Sequence, residues 1–196
     1  MYRISLSSLK RLTLAGMLAV LNSGALAVSG AVAEQATAPP AFVHQALDGA
    51  ALSGRGQLRF FGLRIYDAQL WVGTQFKASD FGAYPMALEL TYYRAFTGAA
   101  IAQRSVEEIE REGELTPELA LRWQNALAAV LPDVEPGDRL TGVYEPGLGM
   151  RLWRGDLALG MIEDAELARR FFGIWLGPNT SEPSLRRALL ARESGS

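Results

Sequence analysis

Apolar and polar residues alternate with a period that changes several times along the chain, and each change marks an element. Between Gly54 and Val72 the sequence is too apolar and too regular for a loop and reads as strand. Phe61, Leu63 and Ile65 share one parity while Ala68, Leu70 and Val72 share the other. The apolar face therefore switches near Ile65 and Tyr66, as a bulge or a strand covered on both faces allows. From Met86 to Phe96 the positions Met86, Leu88, Leu90, Tyr92 and Phe96 are apolar against Glu89, Thr91 and Ala95. This predicts a half-buried strand that carries Arg94 on its apolar side.

The period then lengthens. Gly98 opens a helix to about Gly113, with Ile101, Ser105 or Val106, and Ile109 on its inner face and Glu107, Glu108, Glu110 and Glu112 on the solvated faces. Thr116-Pro117 starts a second helix, because a threonine oxygen caps free amides and proline's fixed φ suits the first turn. Leu119, Trp123, Leu127 and Val130 follow at helical spacing, and Pro132 ends the run. Arg139 to Tyr144 reads as a strand after Gly137-Asp138. Met150 to Trp153 and Leu157 to Ile162 read as a hairpin around Arg154-Gly155-Asp156. Asp164 caps a helix with Ala168, Phe171, Phe172 and Trp175 inward, and Ser184 to Arg192 makes a last short helix. Strands and helices come in blocks and do not alternate as βαβ units. The expected class is α+β, an antiparallel β-sheet with helices packed on one face.

The first residues change the picture of where this domain sits. Arg3, Lys10 and Arg11 precede an apolar run from Leu12 to Ala27, followed by Ala25-Leu26-Ala27 and Ala31-Val32-Ala33. That order is the layout of a secretory signal peptide, here residues 1–33. Asn22, Ser23 and Gly24 interrupt the run short of the roughly 20 apolar residues a bilayer span requires. Residues 34–46, with Gln, Thr and the Pro39-Pro40 pair, are expected as a flexible leader, and residues 47–192 as the folded domain. The expected location is periplasmic or secreted, with no stable membrane span after cleavage.

Cleavage removes three of the 19 cations and none of the 21 acids, so the net charge becomes more negative than −2. Nucleic acid is excluded as a partner, because its binding needs clustered positive charge. No basic amphipathic stretch marks a membrane-surface helix. The chain has no cysteine and one histidine, His44, which removes thiolate nucleophiles, sulfur-bound metals and histidine metal clusters. The glutamates from 107 to 118 lack the spacing and central glycine of a calcium loop. Arg154-Gly155-Asp156 is an ordinary tight turn, and Asn179-Thr180-Ser181 is an incidental acceptor pattern. Gly54-x-Gly56 leads into strand and lacks phosphate-loop spacing. No metal and no cofactor is expected.

Several short motifs together carry a resemblance. They are Gly54-x-Gly56, Tyr66-Asp67-Ala68-x-Leu70-Trp71, and Leu88 to Arg94. They continue with Thr97-Gly98 entering a helix, Trp123, Pro136-Gly137-Asp138, Tyr144-Glu145-Pro146-Gly147 and Gly160. Phe171-Phe172-x-Ile174-Trp175-Leu176 and Thr180-Ser181-x-Pro183-x-Leu185 complete the set. The chain from about Leu47 to Leu190 resembles the bacterial chalcone isomerase-like proteins. The resemblance implies the chalcone isomerase-like open-faced sandwich. In its plant enzymes an arginine and hydroxyl side chains stabilise negative charge during ring closure. Laid on that pattern, the threonine becomes Phe61, the tyrosine Ile101 and the asparagine Glu108, while the arginine corresponds to Arg55 or Arg59.

With those donors lost, the resemblance implies a non-catalytic domain whose cleft between sheet and helices binds a small amphipathic, carboxylate-bearing ligand such as a fatty acid. The alternative is an isomerase or lyase acting on an enone or phenolic substrate. A third reading is a structural protein whose cleft is filled by its own side chains. The ligand-binding residues expected are Arg59, Tyr66, Tyr93 and Arg94, with Tyr92 a further hydroxyl, because guanidinium and phenol groups beside an apolar body suit an anionic head.

Overall fold

The structure, a computed structural model, describes residues 38–191. The proposed signal peptide lies outside the described residues. Six strands, β1 (Ala51–Phe60), β2 (Leu63–Val72), β3 (Met86–Tyr92), β4 (Arg139–Glu145), β5 (Gly149–Arg154) and β6 (Leu157–Ile162), form one antiparallel sheet in chain order. Among the described residues the α-helices are α1 (Ala41–Ala46), α2 (Gly98–Ile109), α3 (Pro117–Ala128), α4 (Ala165–Leu176) and α5 (Pro183–Leu189). The fold is α+β, as the block pattern predicts.

The pleat sorts the sheet into two faces. Leu70, Leu88, Gly142 and Leu152 stand in register on one face, and α4 and α5 pack over it, with α2 on α4 and α3 on α2. Three helix starts are capped by side chains, and two of them, Thr116 and Asp164, are the caps that the sequence announces. Thr97 accepts from the Ala100 amide and Thr116 from the Leu119 amide. Asp164 accepts from the Leu167 amide with one oxygen and from the Trp123 indole with the other, which ties α3 to α4.

The stretch read as one strand is a hairpin. The chain reverses at Phe61-Gly62, whose φ values are 46° and 78°, the pair of positive angles that a two-residue type I′ turn demands. The parity switch at Ile65 and Tyr66 is a bulge on β2: Leu58 pairs with Tyr66 and Arg59 with Arg64, which leaves Ile65 as the extra residue. Gly54 and Gly56 belong to a close approach. A Cβ on Gly54 would lie 2.1 Å from the Ala188 carbonyl oxygen, so glycine lets α5 seat on β1.

Two further expectations change. The strand from Met86 stops at Tyr92. The Tyr93 amide donates to the Ile65 carbonyl, Tyr93 and Arg94 turn away, and Phe96 pairs separately with Val134. The leader expected through residue 46 contains α1. Val43 and Leu47, spaced i and i+4, are buried against Trp71, Ala87 and Val143 on the other face of the sheet, and the Phe42 ring stacks on Trp153 at 4.4 Å. The domain therefore begins before residue 47.

Candidate functional site

A cavity of about 580 Å³ lies between the sheet and the helices. Leu88, Leu90, Leu140 and Leu152 form its sheet wall, and Ile101, Phe171, Phe172 and Trp175 form its helix wall. Gly142 faces it from the middle of β4, where an added Cβ would stand 3.1 Å from the Phe172 ring. Its volume falls in the range, about 300–1,000 Å³, that small-molecule sites occupy.

One region of the wall is polar. Tyr66 of β2 and Tyr92 of β3 are cross-strand partners, with rings 5.8 Å apart and edge to face. The Trp175 indole donates to the Tyr66 hydroxyl oxygen at 2.9 Å. That leaves the Tyr66 proton to donate elsewhere. Burial pushes the Tyr66 hydroxyl up, and the carboxylates of Glu182 and Glu108 push the same way against the Trp175 hydrogen bond and Arg104. Burial, with Tyr66 beside it, raises Tyr92 too. Both phenols are therefore neutral hydrogen-bond donors.

Helix α2 presents Ile101, Ser105 and Glu108 on the cavity face, with Arg104 beside them. The Ser105 hydroxyl is spent on the Ile101 carbonyl at 2.8 Å. Arg104 pairs with Glu108 and, at 3.2 Å, with Glu107, while Arg111 approaches Glu108 at 3.7 Å. Glu108 was expected on a solvated face. Its side chain is 8% exposed, and the paired guanidinium of Arg104 is what makes that burial tolerable. Ser181 and Glu182, preceding α5, complete the polar wall.

Of the four residues expected to hold a ligand, Tyr66 lines the cavity and the other three do not. Arg59 is exposed on the β1–β2 hairpin, where it reaches the Gly62 carbonyl at 3.4 Å. Tyr93 points to the outer side of the sheet. Its hydroxyl donates to Asp67 at 2.6 Å and accepts from Arg64, whose guanidinium lies 3.8 Å from the ring centre. Arg94 is exposed beyond the end of β3. Neither Arg55 nor Arg59 lines the cavity. Of the three positions matched to lost polar groups, Ile101 and Glu108 face it and Phe61 stands out on the hairpin tip.

Arg104 and Glu108 were missed, although a signal for them exists. Ile101, Ser105 and Glu108 recur at i, i+4 and i+7, so the inner stripe of α2 already contains the glutamate. Among the described residues no cluster of three or more histidine, aspartate or glutamate side chains could hold a metal ion.

The comparisons agree with this architecture. The chain is 29% identical over 119 residues to an uncharacterized protein of Haemophilus influenzae, a match that takes in 58% of each protein. The crystal structure of an Arabidopsis thaliana fatty-acid binding protein superposes with a TM-score of 0.50 at 14% identity, covering 74% of this chain and 85% of that one. The profile described as chalcone isomerase-like matches residues 40–191, and the chain belongs to the chalcone isomerase-like family.

Proposed function

We propose that this chain is an exported, non-catalytic binding protein that holds a small amphipathic anion of the fatty-acid kind, with the acyl body in the cavity. The observation that carries this reading is the Tyr66 hydroxyl. It accepts from Trp175, stays neutral, and keeps its own proton for an acceptor at the polar end of a largely apolar chamber. A ligand carboxylate there takes hydrogen bonds from Tyr66 and Tyr92 and shares the Arg104 guanidinium with Glu108. Hydrogen bonds to a charged group are worth about 1.5–3 kcal/mol each, so three donors suffice to orient the head while the apolar wall supplies most of the affinity. The fatty-acid binding relative of the same fold supports the choice of ligand class. The run of cations, apolar residues and small residues within 1–33 supports export.

Displacement of a fluorescent fatty acid tests the reading. Saturable uptake by the wild type, weakened in Tyr66→Phe and in Arg104→Gln, is the expected result; no saturable uptake contradicts it. Turnover of an enone or phenolic compound that is lost on Tyr66→Phe would instead assign the isomerase alternative. Cell fractionation checks export, which predicts a shortened chain outside the cytoplasm.

A further inference from the structure

The β1–β2 turn carries more apolar surface than folding requires. Phe60, Phe61 and Leu63 are 63%, 88% and 50% exposed. Phe61 has a φ of 46°, in the left-handed region that glycine, asparagine or aspartate fill at lower cost. Scattered exposed apolar residues are ordinary, but three together on a protruding turn mark an interaction site.

The surroundings indicate the partner. Arg59 and Arg64 are directly opposed across the hairpin, and Asp67, 3.3 Å from Arg64, neutralises only one of these two like charges. Exposed Arg94 adjoins Tyr93, which is hydrogen-bonded to β2 through Ile65. Asp67 is the neighbouring acid, and it is already engaged by Arg64, Tyr93 and Gln57. The tip is thus cationic on a chain whose net charge is −2. It is also continuous with the cavity, because Leu58 and Phe60 of β1 and Ile65 and Tyr66 of β2 line that chamber.

We propose that the β1–β2 tip docks on an anionic lipid surface. Phe60, Phe61 and Leu63 enter the boundary between headgroups and acyl chains, and Arg59 and Arg94 pair with lipid phosphates. Aromatic residues ringed by cations are the side chains that such a boundary holds. Docked this way, the Phe60 end of the cavity meets the bilayer, and an amphipathic ligand passes between the two without crossing water. The contact is made by a hairpin and needs no basic amphipathic helix.

The absence of cysteine from the chain allows a site-specific test on the protein as it is purified after export. Leu63→Cys and, at the opposite end of the sheet, Leu148→Cys are each labelled with an environment-sensitive fluorophore. They are then mixed with vesicles of phosphatidylcholine, with and without phosphatidylglycerol. The expected result is a blue shift at position 63 with the anionic vesicles, little change at 148, reversal by high salt, and severalfold weaker binding once Arg59→Gln and Arg94→Gln are added. No shift at 63, or equal shifts at both positions, overturns the proposal and leaves a protein partner as the occupant of the tip. Phe61→Asn guards against misfolding. It is expected to raise the melting temperature while lowering the vesicle-bound fraction, and undiminished binding would contradict the proposal. Fatty-acid uptake measured without vesicles reports on the cavity alone, so docking and ligand binding fail separately.

Discussion

Two tyrosine clusters lie back to back through the same pair of strands. Tyr66 and Tyr92 face the cavity, whereas Asp67 and Tyr93, each one residue further on, belong to the outer side. The outer cluster is closed. Tyr93, Asp67, Arg64 and Gln57 satisfy one another, and the guanidinium also covers the Tyr93 ring. The inner cluster is left open, because Tyr66 accepts a hydrogen bond from Trp175 and still has one to give. What separates a structural network from a binding site here is whether the donors are all spent, since residue type is nearly the same on the two sides.

This contrast can be broken experimentally. The largest effect is expected from Tyr66→Phe, which removes the open donor and should weaken fatty-acid binding by about ten- to a hundredfold, the equivalent of one hydrogen bond to a charged group. Binding isotherms with wild type and variant check it, and an unchanged affinity would place the head elsewhere in the cavity. Glu108→Gln should act in the opposite direction. It keeps a hydrogen-bonding side chain beside Arg104 but removes the carboxylate that competes with the ligand for it, and a gain of about fivefold is expected for about 1 kcal/mol of relieved repulsion. A loss on Glu108→Gln would mean that the head group is a cation or a hydrogen-bond donor.

Tyr93→Phe should leave ligand affinity unchanged and cost about 1 kcal/mol of stability or less, as exposed pairs do. Its signature is in acid. Partial burial raises the Asp67 carboxyl, but hydrogen bonds from Tyr93 and Gln57 together with the charge of Arg64 outweigh it and hold the group below its ordinary value. A carboxyl depressed in the folded state stabilises the protein above its unfolded value of about 3.9 and loses that contribution as pH falls through the folded one. Melting temperatures recorded from about pH 5 to pH 2 should therefore fall less steeply in Tyr93→Phe than in the wild type. Parallel curves would show that the outer network is not coupled to stability.

The sheet and its helices were legible in the sequence because their signals are local. Alternation located β3 through β6, and Gly98, Thr116 and Asp164 marked three helix starts. The site was less legible because its residues are sorted by geometry that the pattern does not carry. Arg94 continues the parity of Leu90 and Tyr92 on paper, but the strand ends between them, where the Tyr93 amide leaves for Ile65. Arg59 was placed in a continuous strand because a phenylalanine at positive φ is a poor announcement of a turn. Once the hairpin is recognised, Arg59 moves to the tip and Tyr66 stays in the chamber. Glu108 was given to solvent as one of a run of glutamates, although its spacing from Ile101 puts it on the inner stripe of α2.

Native mass spectrometry of the protein purified from its own cells without denaturant decides whether the chamber is a binding site. The expected spectrum shows a protein carrying one long-chain carboxylic acid, released on unfolding and diminished in Tyr66→Phe. A wild-type protein of bare polypeptide mass that takes up no fatty acid when one is supplied would contradict it.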